Sequence, residues 1–420
     1  MTTHKLRAAG SRVATLAVAV GTLTALALLP ISGAMAAGCE GQNATGDSGG
    51  RSVDLATRTQ EEVLERAKSN AGVNIVPTFA GVAVSGSRLD HDGYRLKSAI
   101  PQIDCAGAAI APITRLSAFT SESVSVSGVG EIDVSRQFGL PSTSLLKLGM
   151  GVGGKWLDTN FKGTLHTPAA AATGGPGIGI NAAGGKVEEA GVQLDFYSLL
   201  AMGQTYFTVA TSIGFGDTQI KNASFVGQEF VVLNTPGATR TAVFGGGRGS
   251  TDYQDYTISG GVGHVFTLGV QGNARYLLDV NGGLLYAHYT RDGLTDTAGV
   301  RYSDANTEEF AGKVEAKLAV QVQQGSDVWT PYVKAGIKHR FDYSSSVTVF
   351  NPSTGLCAIA TGCDFTARYS IKGDDTFWRV GGGLGAQFKG GHTGLFEIMH
   401  QGAGDSSEIT GKAQLILKLN

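Results

Sequence analysis

The chain has 420 residues, of which 62 are glycine, about twice the ordinary share. Charged residues make up 16% of the chain and the formal net charge is −2 at pH 7, which excludes the strongly basic surface of a nucleic-acid-binding protein. Only 10 residues are proline, so the glycine does not belong to a collagen-like or a disordered proline-rich chain.

Residues 1–36 are predicted to be a cleaved secretory signal peptide. Residues 5–12 carry three cations, residues 16–29 form an apolar stretch that is too short for a good transmembrane span, and residues 34–36 read Ala-Met-Ala, as at a cleavage site. No later segment reaches 18 consecutive apolar residues, so we expect no transmembrane helix in the mature chain. The mature chain is therefore expected to be exported.

Four cysteines follow, an even number that suits disulfides in an oxidising compartment. Three pairings are possible. We favour Cys357 with Cys363, which closes a short loop, and hence Cys39 with Cys105. Alternatively, Cys39 is lipidated, because residues 36–39 (Ala-Ala-Gly-Cys) resemble a lipobox. The Cys-x5-Cys spacing has no second ligand pair nearby and does not predict a metal site.

Residues 37–112 are predicted to form a short N-terminal region with one helix. Residues 41–50 are polar and rich in glycine, which indicates a flexible entry. Residues 52–69 contain no Gly or Pro, begin with Ser52 as a candidate N-cap and place their apolar residues on one stripe, which predicts a helix. The region is too small and too broken to form an independent enzyme domain.

From about residue 145 the sequence alternates with period two. In residues 310–322 the even-numbered positions are Phe, Gly, Val, Ala, Leu, Val and Val, whereas the odd-numbered positions are Ala, Lys, Glu, Lys, Ala and Gln. One face is apolar and the other charged, as in a strand between lipid and water. The same alternation occurs in residues 146–156, 378–388 and 408–419.

Aromatic spacing favours lipid over an ordinary protein core. Trp378 and Phe388 lie ten residues apart on one apolar face, as do Tyr276 and Tyr286. Ten residues at about 3.3 Å each, tilted by about 40°, span roughly 25 Å, which is the separation of the two aromatic girdles of a membrane barrel.

Connection lengths alternate between long and short, as they do in an outer-membrane barrel with extended outer loops and short periplasmic turns. The predicted strands cover residues 145–156, 188–202, 205–220, 253–268, 274–291, 308–323, 328–344, 375–388, 392–402 and 408–419. A weaker pair of segments, 114–127 and 130–138, would raise ten strands to twelve, the number that we favour. The predicted fold is therefore all-β: a closed antiparallel transmembrane β-barrel of 10–12 strands over residues 113–420, since an open edge in lipid would leave backbone groups unpaired.

The C-terminal block resembles the β-barrel translocator domain of autotransporters, the type V secretion proteins. The resemblance lies in residues 256–266 (YTISGGVGHVF), 277–287 (LLDVNGGLLYA), 329–339 (WTPYVKAGIKH) and the closing hairpins over 381–419. It implies an outer-membrane barrel of twelve strands with a helix in its lumen and an N-terminal passenger displayed outside. This chain departs from the family in its short N-terminal region and in its last residues, Leu-Lys-Leu-Asn, where the family usually ends in the Phe or Trp that the barrel-assembly machinery reads.

We assign no catalytic, cofactor-binding or metal-ligating residues and predict that the protein is not an enzyme. Residues 46–50 (Gly-Asp-Ser-Gly-Gly) match the nucleophile signature of chymotrypsin-like proteases, but no preceding domain supplies the His and Asp. His288, His339 and His400 lie near predicted outer strand ends, each with an aspartate nearby. Each shares a face with an apolar residue two positions earlier, which predicts interfacial anchors rather than a catalytic site.

The predicted inward faces carry more cations than anions. The basic residues assigned to the lumen are Lys147, Lys155, Lys313, Lys317, Lys334, Lys338, Arg340 and Arg379, with Arg275, Lys412 and Lys418 in addition. The anions assigned to it are Asp195, Asp279, Glu315, Glu397 and Glu408. A basic lumen would prefer anions if water filled it, or could receive the acidic helix with Asp54, Glu61, Glu62 and Glu65 as a plug. A third interpretation is internal salt bridging alone.

The sequence therefore predicts a barrel in the outer membrane of a Gram-negative bacterium that displays long loops over residues 158–187, 221–252 and 345–374, and with them a short N-terminal segment, at the cell surface. A porin-like channel for small anions is the alternative, and a surface adhesin is a further one. The expected partners are outer-membrane lipid and the barrel-assembly machinery, with no nucleic acid and no cofactor. The surface ligand is not predicted.

Overall fold

The computed structural model describes residues 53–58, 60, 78–91, 96–97, 114–164, 179–181, 185–222, 225–230, 239–244, 247–297, 301–351, 365–371, 376–404 and 406–418. All of them belong to one compact unit, Gly38–Asn420. The predicted signal peptide and Cys39, Cys105, Cys357 and Cys363 lie outside the described residues, so the cleavage, the two disulfides and the lipidation stay predictions.

Twelve long strands form the wall of a closed cylinder. They are β1 (Thr78–His91), β2 (Thr114–Asp133), β3 (Ser144–Thr164), β4 (Gly185–Met202), β5 (Thr205–Asn222), β6 (Arg248–Gln271), β7 (Ala274–Arg291), β8 (Ala305–Gln324), β9 (Asp327–Asn351), β10 (Thr376–Gln387), β11 (Thr393–Ala403) and β12 (Ser406–Lys418). Each strand pairs antiparallel with its neighbours in the chain, and β1 pairs with β12. The prediction of a closed antiparallel barrel is confirmed, with twelve strands.

The twelfth strand is not where the sequence predicts it. The segments 114–127 and 130–138 do not form two strands, because residues 114–133 form the single strand β2. The remaining strand is β1, which lies inside the stretch 37–112, so the barrel begins at Thr78 and not at residue 113. The inward residues of β1 from 83 to 87 are only Ala, Ser and Ser, so they contrast weakly with the outward valines and hide the period of two.

The side chains of the wall alternate between an apolar outer face and a polar inner face. Val314 is 61% exposed on the outside and Phe341 58%, whereas Lys147 and Gln193 are fully buried on the inside. This arrangement is the inverse of a soluble protein, and it is the one that places apolar side chains against acyl chains. Within the described residues, no helix is long and apolar enough to span a bilayer.

The connections at one end of the cylinder are short, the longest covering residues 134–143, whereas most of those at the other end are long. Gly203, Gly272 and Gly325 each begin a two-residue connection with positive φ, a backbone conformation that favours glycine. The sequence predicts turns at all three places. By the usual rule for bacterial barrels, the end with these turns faces the periplasm and the other end faces outward.

At the outer end of the barrel, several strands are longer than the sequence predicts. β3 continues to Thr164, β6 starts at Arg248 and β9 runs to Asn351. Above the lipid, backbone pairing needs no apolar alternation, so these extensions carry no period-two signal. Shorter strands also occur in the connections: Leu96–Lys97, Gly179–Asn181, Phe225–Phe230, Thr239–Phe244, Leu294–Thr295, Arg301–Tyr302 and Phe365–Ile371.

Three tyrosine rings brace the inner wall, and each lies across a glycine of the next strand. Tyr197, Tyr206 and Tyr332 face Gly149, Gly263 and Gly383 in the strand register, and a Cβ on any of these glycines would come closer than 3.0 Å to the ring. Because glycine has no side chain, each tyrosine ring can cross the neighbouring strand, and its hydroxyl reaches a carboxylate two strands away. The three hydrogen bonds run from Tyr197 to Glu131 (2.6 Å), from Tyr206 to Asp279 (2.7 Å) and from Tyr332 to Glu397 (2.5 Å).

Candidate functional site

The lumen of the barrel is the candidate functional site, and six of its predicted cations are paired with carboxylates. The pairs are Lys147 with Glu131, Lys155 with Asp255, Lys317 with Asp279 (3.6 Å), Lys334 with Glu397 (2.9 Å), Lys338 with Glu309 (2.5 Å) and Arg340 with Glu309 (2.9 Å). Arg379, on β10, donates through Nε to Gln401 Oε1 (2.6 Å). Lys313 lies half-buried on the inner face of β8.

The anions Glu131, Asp255 and Glu309 are partners that the sequence analysis missed. All three are buried on the inner face, Glu309 completely. Their positions were readable in principle, since Asp255 and Glu309 share the odd, inward phase of predicted strands. These three carboxylates pair with four of the predicted lumen cations, so the excess of cations over anions is smaller than the sequence suggests.

A short helix lies inside the barrel. Residues 53–58 and 60 are helical, and all of these except Asp54 and Arg58 are buried. Val53 packs in a cluster with Tyr253, Ala287 and Tyr289 of the wall. The sequence predicts the helix over residues 52–69, of which the residues beyond 60, including Glu61, Glu62 and Glu65, lie outside the described part of the chain.

Polar contacts tie this helix to separate parts of the wall. Asp54 Oδ1 accepts from Arg340 Nη2 (2.9 Å) and lies 3.6 Å from Lys338 Nζ, both on β9. Arg58 pairs with Glu408 of β12 (2.5 Å) and also donates to Ser123 of β2 (3.4 Å).

The direction of the helix follows from its neighbours on β6, a strand that runs from the outer end of the barrel to the periplasmic end. Val53 packs against Tyr253, whereas Gln60 Nε2 donates to the carbonyl oxygen of Thr257 (3.4 Å), four residues further along that strand. The N-terminal end of the helix therefore faces the outer end of the lumen, and the chain descends toward the periplasm from residue 53 to residue 60.

The three histidines that the sequence analysis considered lie on the outer face among aromatic rings. The ring of His288 lies 5.2 Å from that of Tyr256, His339 lies 5.2 Å from Phe341, and His400 lies 4.9 Å from Trp378. None of these contacts brings a histidine to the lumen. Among the residues that the structure describes, no group of three or more His, Cys, Asp or Glu is arranged to hold a metal ion.

An ion-pair network lies on the outer surface above the lipid-facing residues. Lys186 Nζ contacts Asp158 (2.8 Å) and Glu188 (2.6 Å), and Lys221 pairs with the other oxygen of Glu188. Hydrogen bonds from the two lysines lower the pKa of Glu188 below its usual value of 4.5. The network therefore links the outer ends of β3, β4 and β5.

Comparison with known proteins agrees with this architecture. The family model "Autotransporter beta-domain" matches residues 147–397. The structure is similar to the translocator domain of the autotransporter NalP from Neisseria meningitidis, with 12% identity, 89% of this chain and 98% of that chain covered, and a TM-score of 0.52. It is also similar to the transport unit of the autotransporter AIDA-I from Escherichia coli, with 12% identity, coverage of 81% and 90%, and a TM-score of 0.53.

No curated protein is significantly similar to the chain in sequence. The two solved structures, at 12% identity, support the fold alone, whereas the family model spans more than half of the chain. The resemblance read from residues 256–419 is thereby confirmed. This chain belongs to the autotransporter β-domain family, the outer-membrane β-barrel translocators of Gram-negative bacteria.

Proposed function

We propose that the barrel carries its own short N-terminal segment to the cell surface and then keeps the helix in its lumen as a plug. The observation that carries the proposal is the direction of the helix, whose N-terminal end faces the outer end of the barrel. A chain that continues upward from Val53 leaves the lumen on the outer side. Residues 37–52 would then be exposed outside the cell after removal of residues 1–36 as a signal peptide.

The ion pairs of the lumen support a plug. Asp54 and Arg58 carry opposite charges and contact opposite charges on β9 and β12, so the described part of the helix adds no net charge to the lumen. A buried charge is stable only with a partner. The helix supplies partners to the wall and the wall supplies partners to the helix, and this mutual pairing favours a resident helix over an empty, water-filled pore.

The same pairing does not favour the porin-like channel for small anions, because the lumen cations are held by carboxylates. An adhesin is compatible with display, and its ligand would be bound by the outer connections between β3 and β4, β5 and β6, and β9 and β10. The proposal assigns no chemical step to the barrel itself. Its expected partners are lipid and the machinery that assembles outer-membrane barrels.

The test is a protease-sensitive tag inserted near Asn43 in the full-length protein, probed on intact cells. We expect external protease to remove the tag while the barrel stays in the membrane. A matched tag in the periplasmic loop over residues 134–143 serves as the control and should be cut only after the outer membrane is opened. Protection of the Asn43 tag on intact cells, with cleavage only in opened cells, would refute surface display.

A further inference from the structure

We infer that Arg340, Lys338 and Glu309 form a preorganised carboxylate receptor that fixes where the helix comes to rest in the lumen. Asp54 is its ligand, and Glu309 is a positioning residue that aims the two cations at it. The inference rests on the proposed plug function and deepens it, because it names the contact that sets the position of the exported chain.

The guanidinium of Arg340 is held between two aromatic rings. Its central carbon lies 4.6 Å from the ring centre of Tyr343 and 4.5 Å from that of Phe377. Stacking on aromatic faces restricts a planar guanidinium in position and in orientation. The cation is therefore in place before a ligand arrives, so binding costs little side-chain entropy.

The carboxylate of Glu309 contacts both cations of the receptor. Its Oε2 accepts from Arg340 Nε (2.9 Å) and its Oε1 lies 2.5 Å from Lys338 Nζ. This carboxylate is fully buried. With Nε engaged by Glu309, Arg340 presents Nη2 to the lumen, where Asp54 Oδ1 accepts at 2.9 Å.

The charge count makes the site selective for a carboxylate. Lys338, Arg340 and Glu309 together carry a net charge of +1, and Asp54 brings the charge of this group to zero. An uncompensated buried charge is strongly destabilising, so the receptor favours the one helical position that brings in a second carboxylate.

Few residues of the segment can replace Asp54. Between residues 37 and 62 the other acidic residues are Glu40, Asp47, Glu61 and Glu62, and none lies within six positions of Asp54. Seven residues of helix correspond to a displacement of about 10 Å. A neighbouring side chain one turn away therefore cannot take over the contact, and Asp54 defines one resting register.

The test uses the purified full-length barrel in planar bilayers, where the ratio of closed to open time reports how long the plug stays in place. Asp54→Asn and Glu309→Gln should each lower this ratio about tenfold or more, since each breaks the receptor. Glu309→Asp, which keeps the carboxylate, should have a ratio between those of Glu309→Gln and the wild type. Glu188→Gln is the control: it removes a carboxylate that is paired with Lys186 and Lys221 on the outer surface, away from the lumen, and it should change the ratio less than twofold.

A second readout measures register directly. In a background without the four native cysteines, Gln60→Cys and Thr257→Cys should be joined by a short bifunctional thiol reagent, because the Gln60 side chain reaches the backbone of Thr257 in the native chain (Nε2 to carbonyl oxygen, 3.4 Å). Adding Asp54→Asn should lower the yield several-fold, and this variant leaves the wall intact, so a folding defect is not at issue. The double variant Asp54→Asn/Glu309→Gln should be no worse than either single variant, because both act through Arg340.

Unchanged closure and cross-linking in Asp54→Asn would overturn the receptor. A loss in Asp54→Asn with a control-like result in Glu309→Gln would overturn the positioning role of Glu309. A wild-type barrel that is permanently open would instead refute the plug itself.

Discussion

A methyl group at position 149 should displace the ring of Tyr197, which forms one of the three tyrosine braces of the inner wall. In the variant Gly149→Ala, the new Cβ would lie within 3.0 Å of the Tyr197 ring, so the ring must leave its place across β3. Moving it breaks the 2.6 Å hydrogen bond to Glu131, which also pairs with Lys147. Overpacking costs about 1–3 kcal/mol and a hydrogen bond to a charged group about 1.5–3 kcal/mol. We expect a loss of about 3–5 kcal/mol in the free energy of unfolding.

The assay is urea-induced unfolding in lipid vesicles, followed by the fluorescence of the three tryptophans. Gly130→Ala is the matched control, since no atom lies within 4 Å of its added Cβ, and it should be within about 0.5 kcal/mol of wild type. In a Tyr197→Ala background, which has no ring to displace, Gly149→Ala should add almost nothing. An equal cost of Gly149→Ala with and without the Tyr197 ring would refute the steric reasoning.

Three further substitutions probe the lipid face, a turn and the outer surface. Val314→Lys places a charge on the lipid side of β8 and should cost about 2–4 kcal/mol by the same urea assay, whereas Val314→Leu should be neutral. Gly203→Ala, at φ 63°, should cost about 1 kcal/mol and leave the β4–β5 register unchanged by NMR. Because the pKa of Glu188 is lowered, its charge stabilises the fold above pH 4.5 and this contribution is lost as pH falls through the lowered pKa. Glu188→Gln should therefore be less stable than wild type at pH 7, by less than about 1 kcal/mol, and this difference should shrink as the pH falls through the lowered pKa.

The strands with strong contrast between their two faces could be predicted from the sequence, and β1 could not. Residues 310–322 alternate between apolar side chains and lysine or glutamate, so both the strand and its inner face are readable. In β1 and β2 the inner face carries mainly small residues, six of them serine, with pairs such as Ser85–Ser125 and Ser87–Ser123 hydrogen-bonded across the strands. Serine opposite valine gives little hydropathy contrast, although it leaves room in the lumen near the helix.

The inward-facing residues of the lumen and the helix could be predicted from the sequence, but the contacts between them could not. The phase of each strand indicates that Lys338 and Arg340 point inward, and the helix carrying Asp54 was recognised as a possible occupant. That Arg340 meets Asp54, 286 residues earlier in the chain, depends on barrel closure and on the depth of the helix. The tyrosine braces are equally non-local, because each joins strands that are not adjacent in the sheet.

Those braces give the cylinder mechanical stiffness. Hydrogen bonding between neighbouring strands alone permits a barrel to shear or to flatten, whereas a tie from one strand to the next but one triangulates the wall. The three ties span β2–β4, β5–β7 and β9–β11, nine of the twelve strands. Ties of this kind oppose widening of the lumen, so we expect the barrel to pass a helix or an extended polypeptide more readily than a folded domain. We therefore expect any exported cargo to cross the membrane before it acquires tertiary structure.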